Sequence, residues 1–108
     1  MKPRGPIEFQ IWTPPIATAA ASRLADFLRH KGSPWIEDIE RRLAGTIAGA
    51  KDYFYVARCE GQLVGHAWYT VANTDPRLGL VGHIFTHPDH RQQGIARQLL
   101  EHIMRDFA

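Results

Sequence analysis

Alternation of apolar and polar side chains near the start of the chain predicts a strand. Over residues 7–12 the two kinds of side chain alternate, which is the period of a half-buried strand. Thr13 is suited to cap a following helix, and Pro14 to its first position, where no N–H donor is needed. From Ile16 to Leu28, apolar residues recur at helical spacing, which predicts a first amphipathic helix.

The next part of the chain predicts a second helix and a hairpin. An apolar stripe from Ile36 to Ile47 follows Ser33-Pro34 and indicates the helix. Residues 53–59 are rich in strand-forming side chains, and Glu60-Gly61 predicts a tight turn into a return strand over 62–71.

The last third of the chain predicts a loop, a strand and a helix. Residues 73–76 have loop composition, residues 78–86 indicate another strand, and a helix with one broad apolar face follows from near Gln92. The order is β-α-α-β-β-β-α, which predicts an α+β fold with helices over a mixed, largely antiparallel sheet. We interpret residues 1–108 as a single, partial domain.

Composition narrows the class of protein. Hydrophobic residues make up 44% and charged residues 22% of the 108 positions, as in an ordinary globular domain. The net charge is only +2, and Arg41-Arg42 lie among Glu37, Asp38 and Glu40, which indicates a solvated helix face and argues against nucleic-acid binding. Cys59 is the single cysteine, and the N-terminus has neither a signal-peptide nor a membrane-span pattern, so we expect a cytoplasmic protein that does not bind membranes.

The segment 83–100 carries the clearest chemistry. A strand ends at Pro88, a polar turn follows, and a helix opens. The first N–H groups of a helix lack intrahelical partners and favour an anion. Gly94 lets the backbone approach a bulky ligand, and Arg91 can bind phosphate with two hydrogen bonds. The alternative is that Gly94 is a packing residue in a common strand-turn-helix unit.

This segment closely resembles the central motif of the GCN5-related N-acetyltransferase (GNAT) superfamily. The stretch 84–100 reads IFTHPDHRQQGIARQLL, and the family motif is an apolar strand, a proline, then Arg/Gln-x-x-Gly-x-Gly/Ala. The glycine-containing hairpin at residues 61–65 and the two helices after the first strand also match the family. Only the part from His83 onward is specific.

The resemblance implies an N-acetyltransferase that moves an acetyl group directly from acetyl-CoA, its cosubstrate, to a primary amine of a small molecule or peptide. It implies that strand backbone pairs with the pantetheine arm and that N–H groups from Gln92 to Ala96 hold the pyrophosphate, with two arginines nearby. The cofactor-binding residues implied are Ile84, Phe85, Thr86, Arg91, Gln92, Gln93, Gly94, Ile95, Ala96 and Arg97.

Two departures from the family accompany this likeness. Gln92 stands where many members have glycine. The family also continues with a fifth strand, a helix and two further strands, which often supply a tyrosine that protonates the leaving thiolate. We therefore expect a form truncated before the fifth strand, or a homodimer or second chain that completes the sheet. A noncatalytic coenzyme A-binding or protein-interaction module on this scaffold is the alternative function.

Histidines supply the candidates for a general base. His83 lies on the predicted fourth strand, and a histidine can accept a proton near neutral pH. Strand register decides whether His83 faces the cleft or packs against a helix or solvent. His87 and His90 follow in the turn, and the intervening strand end and proline argue against a shared metal ion, so we predict no metal site.

The third strand offers residues for an acceptor pocket. His66, Trp68 and Tyr69 could line it. Cross-strand packing explains the same three side chains equally well. The acceptor itself is not specified by the sequence.

Overall fold

One antiparallel sheet organises the chain, and the computed structural model describes residues 5–107 of it. The strands are β1 (Ile7–Trp12), β2 (Ala50–Cys59), β3 (Gln62–Ala72) and β4 (Asp75–Thr86), in the spatial order β1-β2-β3-β4. The helices are α1 (Thr18–Phe27) and α2 (Trp35–Leu43), between β1 and β2, and α3 (Ile95–Phe107) after β4. The predicted α+β class and element order are confirmed.

The hairpin between β2 and β3 has the predicted turn. Glu60 and Gly61 both have positive φ, 52° and 80°, which is the backbone that matches the twist of a two-residue hairpin. The loop predicted over 73–76 is wrong in its second half. Asp75 already pairs with Ala72, and Pro76 is tolerated because an edge strand does not need every N–H donor.

All three helices begin or end differently from the prediction. The first begins at Thr18, because Ile16 N–H instead bonds the carbonyl of Leu43 at 2.9 Å and ties this segment to the end of α2. The second ends at Leu43 because Gly45, with φ of 75°, forms a left-handed cap, so Ile47 lies outside its stripe. The third begins at Ile95, three residues after Gln92.

Helices cover both faces of the sheet. Alternate residues of β2 point to opposite faces: Phe54 packs with α1 and α2, whereas Tyr55 packs with α3. The α1/α2 cluster contains Leu24, Leu28, Ile36, Ile39, Leu43, Val56 and Trp68, and the α3 cluster contains Ala57, Val64, Ala67, Ile95, Leu99 and Ile103. Because both faces are covered, the four central residues 54–57 of β2 are all buried.

Gly65 allows the start of α3 to lie close to β3. A Cβ at this position would be 2.6 Å from Cγ2 of Ile95 and 3.3 Å from Cδ1 of Leu99. We therefore expect Gly65→Ala to lower the free energy of unfolding by about 1.5 kcal/mol, measured by urea denaturation. In an Ile95→Ala background the methyl would have room, so the same change should cost much less. Equal costs in both backgrounds would contradict this close packing.

Candidate functional site

The second half of β4 presents main-chain groups away from the sheet. His87 N–H donates to the carbonyl of Val64 at 2.8 Å, and Phe85 pairs with His66 in the same register. Because bonded and non-bonded pairs alternate along an antiparallel ladder, Thr86, and Ile84 before it, direct their main-chain groups to the free edge. Within the described chain, β4 is an outer strand of the sheet.

Side chains donate hydrogen bonds to the two main-chain carbonyls at the free edge of β4, those of Ile84 and Thr86. Lys31 Nζ donates to the carbonyl of Ile84 at 3.3 Å, and Arg91 Nε donates to that of Thr86 at 3.3 Å. Both carbonyls therefore point where a ligand strand could donate to them. The guanidinium of Arg91 also lies 5.9 Å from the ring centroid of Phe85.

The turn between β4 and α3 contains two left-handed residues. A short 3-10 turn covers Pro88–His90, and Gln92 and Gly94 then have φ of 66° and 71°. Such φ values are incompatible with a right-handed helix, which explains why α3 does not begin at Gln92. They also explain why glycine is favoured at the position of Gln92 in the family motif.

Several N–H groups converge at the start of α3. Its first helical hydrogen bond runs from Gln98 N–H to the carbonyl of Gly94, at 2.9 Å. The N–H groups of Ile95, Ala96 and Arg97 precede that bond, so they are available to a ligand. The Arg97 side chain is 76% exposed beside them. This geometry suits an anion, as the sequence predicts.

These features line one groove of about 480 Å³. Nine of the ten residues predicted to bind cofactor lie in it, together with His90: Ile84, Phe85, Thr86, Arg91, Gln92, Gly94, Ile95, Ala96 and Arg97. Gln93 does not line it, and its carbonyl accepts from Gln98 Nε2 at 3.5 Å. Ile95 is only 2% exposed, so its contribution is mainly its backbone. Binding by these residues stays a prediction.

A second groove, of about 780 Å³, lies along β4 next to the first. His83 lines the second groove, and Ile84, the next residue in the chain, lines the first. The second groove lies between α2 with its preceding turn and the β3–β4 pair. Its lining residues are Lys31, Pro34, Trp35, Asp38, Arg41, Arg42, Trp68, Leu80, Val81, Gly82 and His83.

A β-bulge turns His83 into this second groove. Trp68 pairs with Gly82 but His66 pairs with Phe85, so two β4 residues oppose one on β3. His83 has φ of 49°, and such bulges redirect side chains. Its ring is 11% exposed and its Nε2 lies 3.7 Å from Oδ2 of Asp38. The sequence left open whether His83 faces a cleft or packs against a helix. In the structure it does both, because it packs against α2 and also lines the second groove.

The protonation state of His83 follows from its surroundings. Burial lowers the pKa of His83 below its ordinary value, and the nearby Asp38 carboxylate only partly opposes this, while Lys31 and Arg42 reinforce it. The imidazole is therefore neutral near pH 7. A neutral imidazole can accept a proton from an amine.

A polar network fixes Asp38 in place. Arg42 Nε donates to Oδ2 of Asp38 at 2.9 Å, and Arg42 Nη1 donates to Oδ1 of Asp52 at 2.8 Å. Trp68 Nε1 donates to the same Asp52 oxygen at 2.8 Å, and the Arg42 guanidinium lies over the Trp68 ring at 4.7 Å. The interpretation of this part of α2 as a solvated face is therefore wrong for Asp38 and Arg42. Arg42 and Asp38 are one helical turn apart, but their other partners, Asp52, Trp68 and His83, lie outside this helix and gave no local signal.

The three β3 candidates occupy different surroundings. Trp68 lines the second groove. His66 is fully buried and its Nδ1 lies 2.8 Å from the carbonyl of His83. Tyr69 packs on the α3 face, with its ring 4.5 Å from that of Phe107. Only Trp68 fits the acceptor-pocket interpretation directly, whereas packing explains the other two.

Two further findings bear on the site. Among residues 5–107, no group of three His, Cys, Asp or Glu side chains is arranged to hold a metal ion. The helices in the described range are all too short or too polar to cross a membrane.

Comparison with known proteins now identifies the family. Residues 50–108 match the family model described as an acetyltransferase (GNAT) domain. No curated protein matches the chain. Among solved structures, the ribosomal-protein-alanine N-acetyltransferase from Brucella melitensis biovar Abortus 2308 has a TM-score of 0.67 and 25% identity, covering 94% of this chain and 71% of that one.

Two further structures share the fold. A predicted acetyltransferase from Clostridium acetobutylicum, solved with acetyl-CoA, has a TM-score of 0.66 and 14% identity, covering 94% of this chain and 73% of that one. An aminoglycoside N-acetyltransferase in complex with CoA has a TM-score of 0.60 and 22% identity, covering 97% and 72%. From its match to the family model and this shared architecture, the chain belongs to the GNAT family of acetyltransferases.

Proposed function

We propose that the chain binds acetyl-CoA in the first groove and transfers its acetyl group directly to a primary amine held in the second groove. The observation that carries this proposal is that the edge carbonyls of β4 and the N-terminus of α3 meet in one groove. The second groove, with a neutral histidine, adjoins it. An acceptor and a thioester could therefore meet near His83 and Ile84.

The first groove suits each part of the cosubstrate. The carbonyls of Ile84 and Thr86 could accept from the amides of a pantetheine arm, as they would from an added strand. Lys31 and Arg91 hold these carbonyls in the free chain and would have to release them. The N–H groups at the start of α3 and the Arg91 and Arg97 side chains would then hold the pyrophosphate.

His83 is the proposed general base. Bound acetyl-CoA supplies a thioester carbonyl that a neutral amine can attack. The His83 imidazole removes the proton that keeps an amine unreactive at neutral pH. Asp38, at 3.7 Å, stabilises the imidazolium that results.

The noncatalytic alternative has one observation in its favour. All three tyrosines face α3: Tyr55 donates to Asp106 at 2.8 Å, and Tyr53 and Tyr69 pack on Phe107. Burial also raises the pKa of Tyr55. No tyrosine within residues 5–107 therefore lines either groove to protonate a leaving thiolate. Acetyl transfer to any amine would refute this alternative.

Calorimetric titration of the chain with acetyl-CoA tests the cofactor proposal. We expect Arg91→Ala to weaken binding roughly tenfold, because a charge-assisted contact to phosphate is lost. S-Acetylpantetheine, which has no pyrophosphate, should bind Arg91→Ala at least as tightly as the wild type, because the variant no longer occupies the Thr86 carbonyl.

Arg77→Ala is the matched control. Arg77 lies on β4 away from the first groove, is 88% exposed and pairs with Asp75, so its loss should leave acetyl-CoA binding unchanged. If acetyl-CoA does not bind, or Arg91→Ala binds it like the wild type, the first groove is not the pyrophosphate site.

A further inference from the structure

We propose that the second groove selects acceptors in which the amine is accompanied by a carboxylate and an apolar or aromatic body, as in a hydrophobic amino acid. Lys31 and Arg41 are the proposed specificity residues. The inference rests on the proposed function, because it assigns a substrate class to the acceptor groove. It comes from the charges and exposed apolar surface of that groove.

The lining of the groove carries an excess of positive charge. Its cations are Lys31, Arg41 and Arg42, and its single carboxylate is Asp38. Arg42 is matched on both sides, by Asp38 at 2.9 Å and by Asp52 at 2.8 Å. Three cations thus meet two carboxylates in or directly behind this lining, while Glu37, which lies near Arg41 but outside the lining, accepts from Ser33 Oγ. His83 adds no charge while it is neutral.

The two remaining cations are placed to meet a ligand. Arg41 is 60% exposed and reaches Asp38 only at 3.8 Å, a distance typical of a loose surface pair. Lys31 donates to the neutral carbonyl of Ile84, so within residues 5–107 that contact does not balance its charge. If a cosubstrate takes over that carbonyl, the Lys31 ammonium is freed beside the acceptor groove.

Exposed apolar side chains supply a surface for the body of the acceptor. Trp35 is 56% exposed and Leu80 is 61% exposed, and both line the groove. The Trp35 ring lies 6.4 Å from that of His83. An aromatic or aliphatic group against Trp35 would therefore keep its amine within reach of the proposed base.

The same charges disfavour other amines. A polycationic acceptor would be repelled by Lys31 and Arg41, and Asp38, the nearest carboxylate, already bonds Arg42. An acceptor that carries no charged group besides its amine would gain no attraction from Lys31 or Arg41. An anionic group on the acceptor, of which a carboxylate is the simplest for an amine-bearing small molecule, turns the excess positive charge into attraction.

The binding of two product analogues, in which the amine is already acetylated, tests this proposal. N-Acetyl-L-phenylalanine and N-acetyl-L-phenylalaninamide differ in the carboxylate and have no amine to titrate. With CoA present at low salt, we expect the acid to bind roughly fivefold more tightly than the amide, followed by calorimetry or tryptophan fluorescence. The preference should fall as salt is raised.

Three variants sharpen the test. Arg41→Gln and Lys31→Gln should each reduce the preference for the acid while leaving the affinity for the amide nearly unchanged. Arg23→Gln removes an equal charge from an exposed site on α1 that lines a different depression, and it should keep the full preference. A preference reduced equally by Arg23→Gln would indicate net charge and overturn the assignment to Lys31 and Arg41.

Equal binding of acid and amide, or binding of neither, would overturn the proposed substrate class. A separate assay distinguishes this from failure of the proposed function. If the acid binds preferentially but no amine is acetylated, the groove's preference stands and the catalytic proposal fails. If amines are acetylated without any gain from a carboxylate, only the substrate class fails.

Discussion

Replacing His83 by glutamine is expected to lower the rate of acetyl transfer by about a hundredfold, the usual contribution of a positioned general base. Glutamine retains hydrogen-bonding groups but cannot accept the amine's proton. His83 does not line the first groove, so acetyl-CoA should bind the variant as it binds the wild type. The rate is measured by thiol release with an excess of amine, and binding by calorimetry.

The pH profile separates a base from a structural role. Because burial lowers the pKa of His83, the wild-type kcat/KM should rise with pH in a step centred below pH 6.5, the ordinary histidine pKa. His83→Gln should lack this step. His102→Gln, altered on α3 beside Phe9, should retain both the rate and the step. An unchanged profile in His83→Gln would exclude His83 as the base.

The sequence predicted the first groove far better than the second. The first groove is built mainly from consecutive residues, since the strand, the proline turn and the helix are all local, and nine of its ten predicted residues lie together. The second groove joins α2 to β4, and its Asp38–His83 pair spans 45 positions of sequence. Periodicity on each element alone cannot reveal such a pairing.

The errors at the end of α2 and the start of α3 have a common cause. Helix stripes were extended through residues whose φ is positive, namely Gly45 and the turn at Gln92 and Gly94. Glycine signals such a break, as Gly94 does directly before α3, but glutamine does not, so the left-handed conformation of Gln92 could not be found from composition. The β-bulge at His83 could not be predicted from local composition either, because it depends on the register between β3 and β4.

Stability should fall by about 2 kcal/mol between pH 7 and pH 5 because His66 is buried without charge. Burial lowers its pKa to about 3, whereas in the unfolded chain it titrates near 6.5. The unfolded state therefore binds a proton in this window that the folded state refuses, and stability is lost as pH decreases. Nearby Lys31 and His83 also disfavour the charged form. His83 shifts in the same direction, so it adds to the slope.

Hydrogen bonding explains why His66 resists protonation. The His83 carbonyl can only accept, so His66 Nδ1 must be the donor in their 2.8 Å contact. The proton would enter at Nε2, which is buried and lacks a hydrogen-bond partner within residues 5–107. A charge there would have neither water nor a carboxylate to stabilise it. The stability of the folded chain therefore depends on an uncharged His66.

Urea denaturation of His66→Gln at several values between pH 5 and pH 7 tests this dependence. Glutamine can still donate to the His83 carbonyl but does not titrate, so the variant should lose about 2 kcal/mol less than the wild type over the window. His30→Gln, which removes an exposed histidine, should keep the wild-type slope. Carboxylates contribute little above pH 5, because their ordinary pKa values are about 4. If the free energy of unfolding of the wild type and of His66→Gln changed with pH in parallel, His66 would be accessible to protons in the folded chain. The bulge would then have to tolerate a protonated His66 beside it.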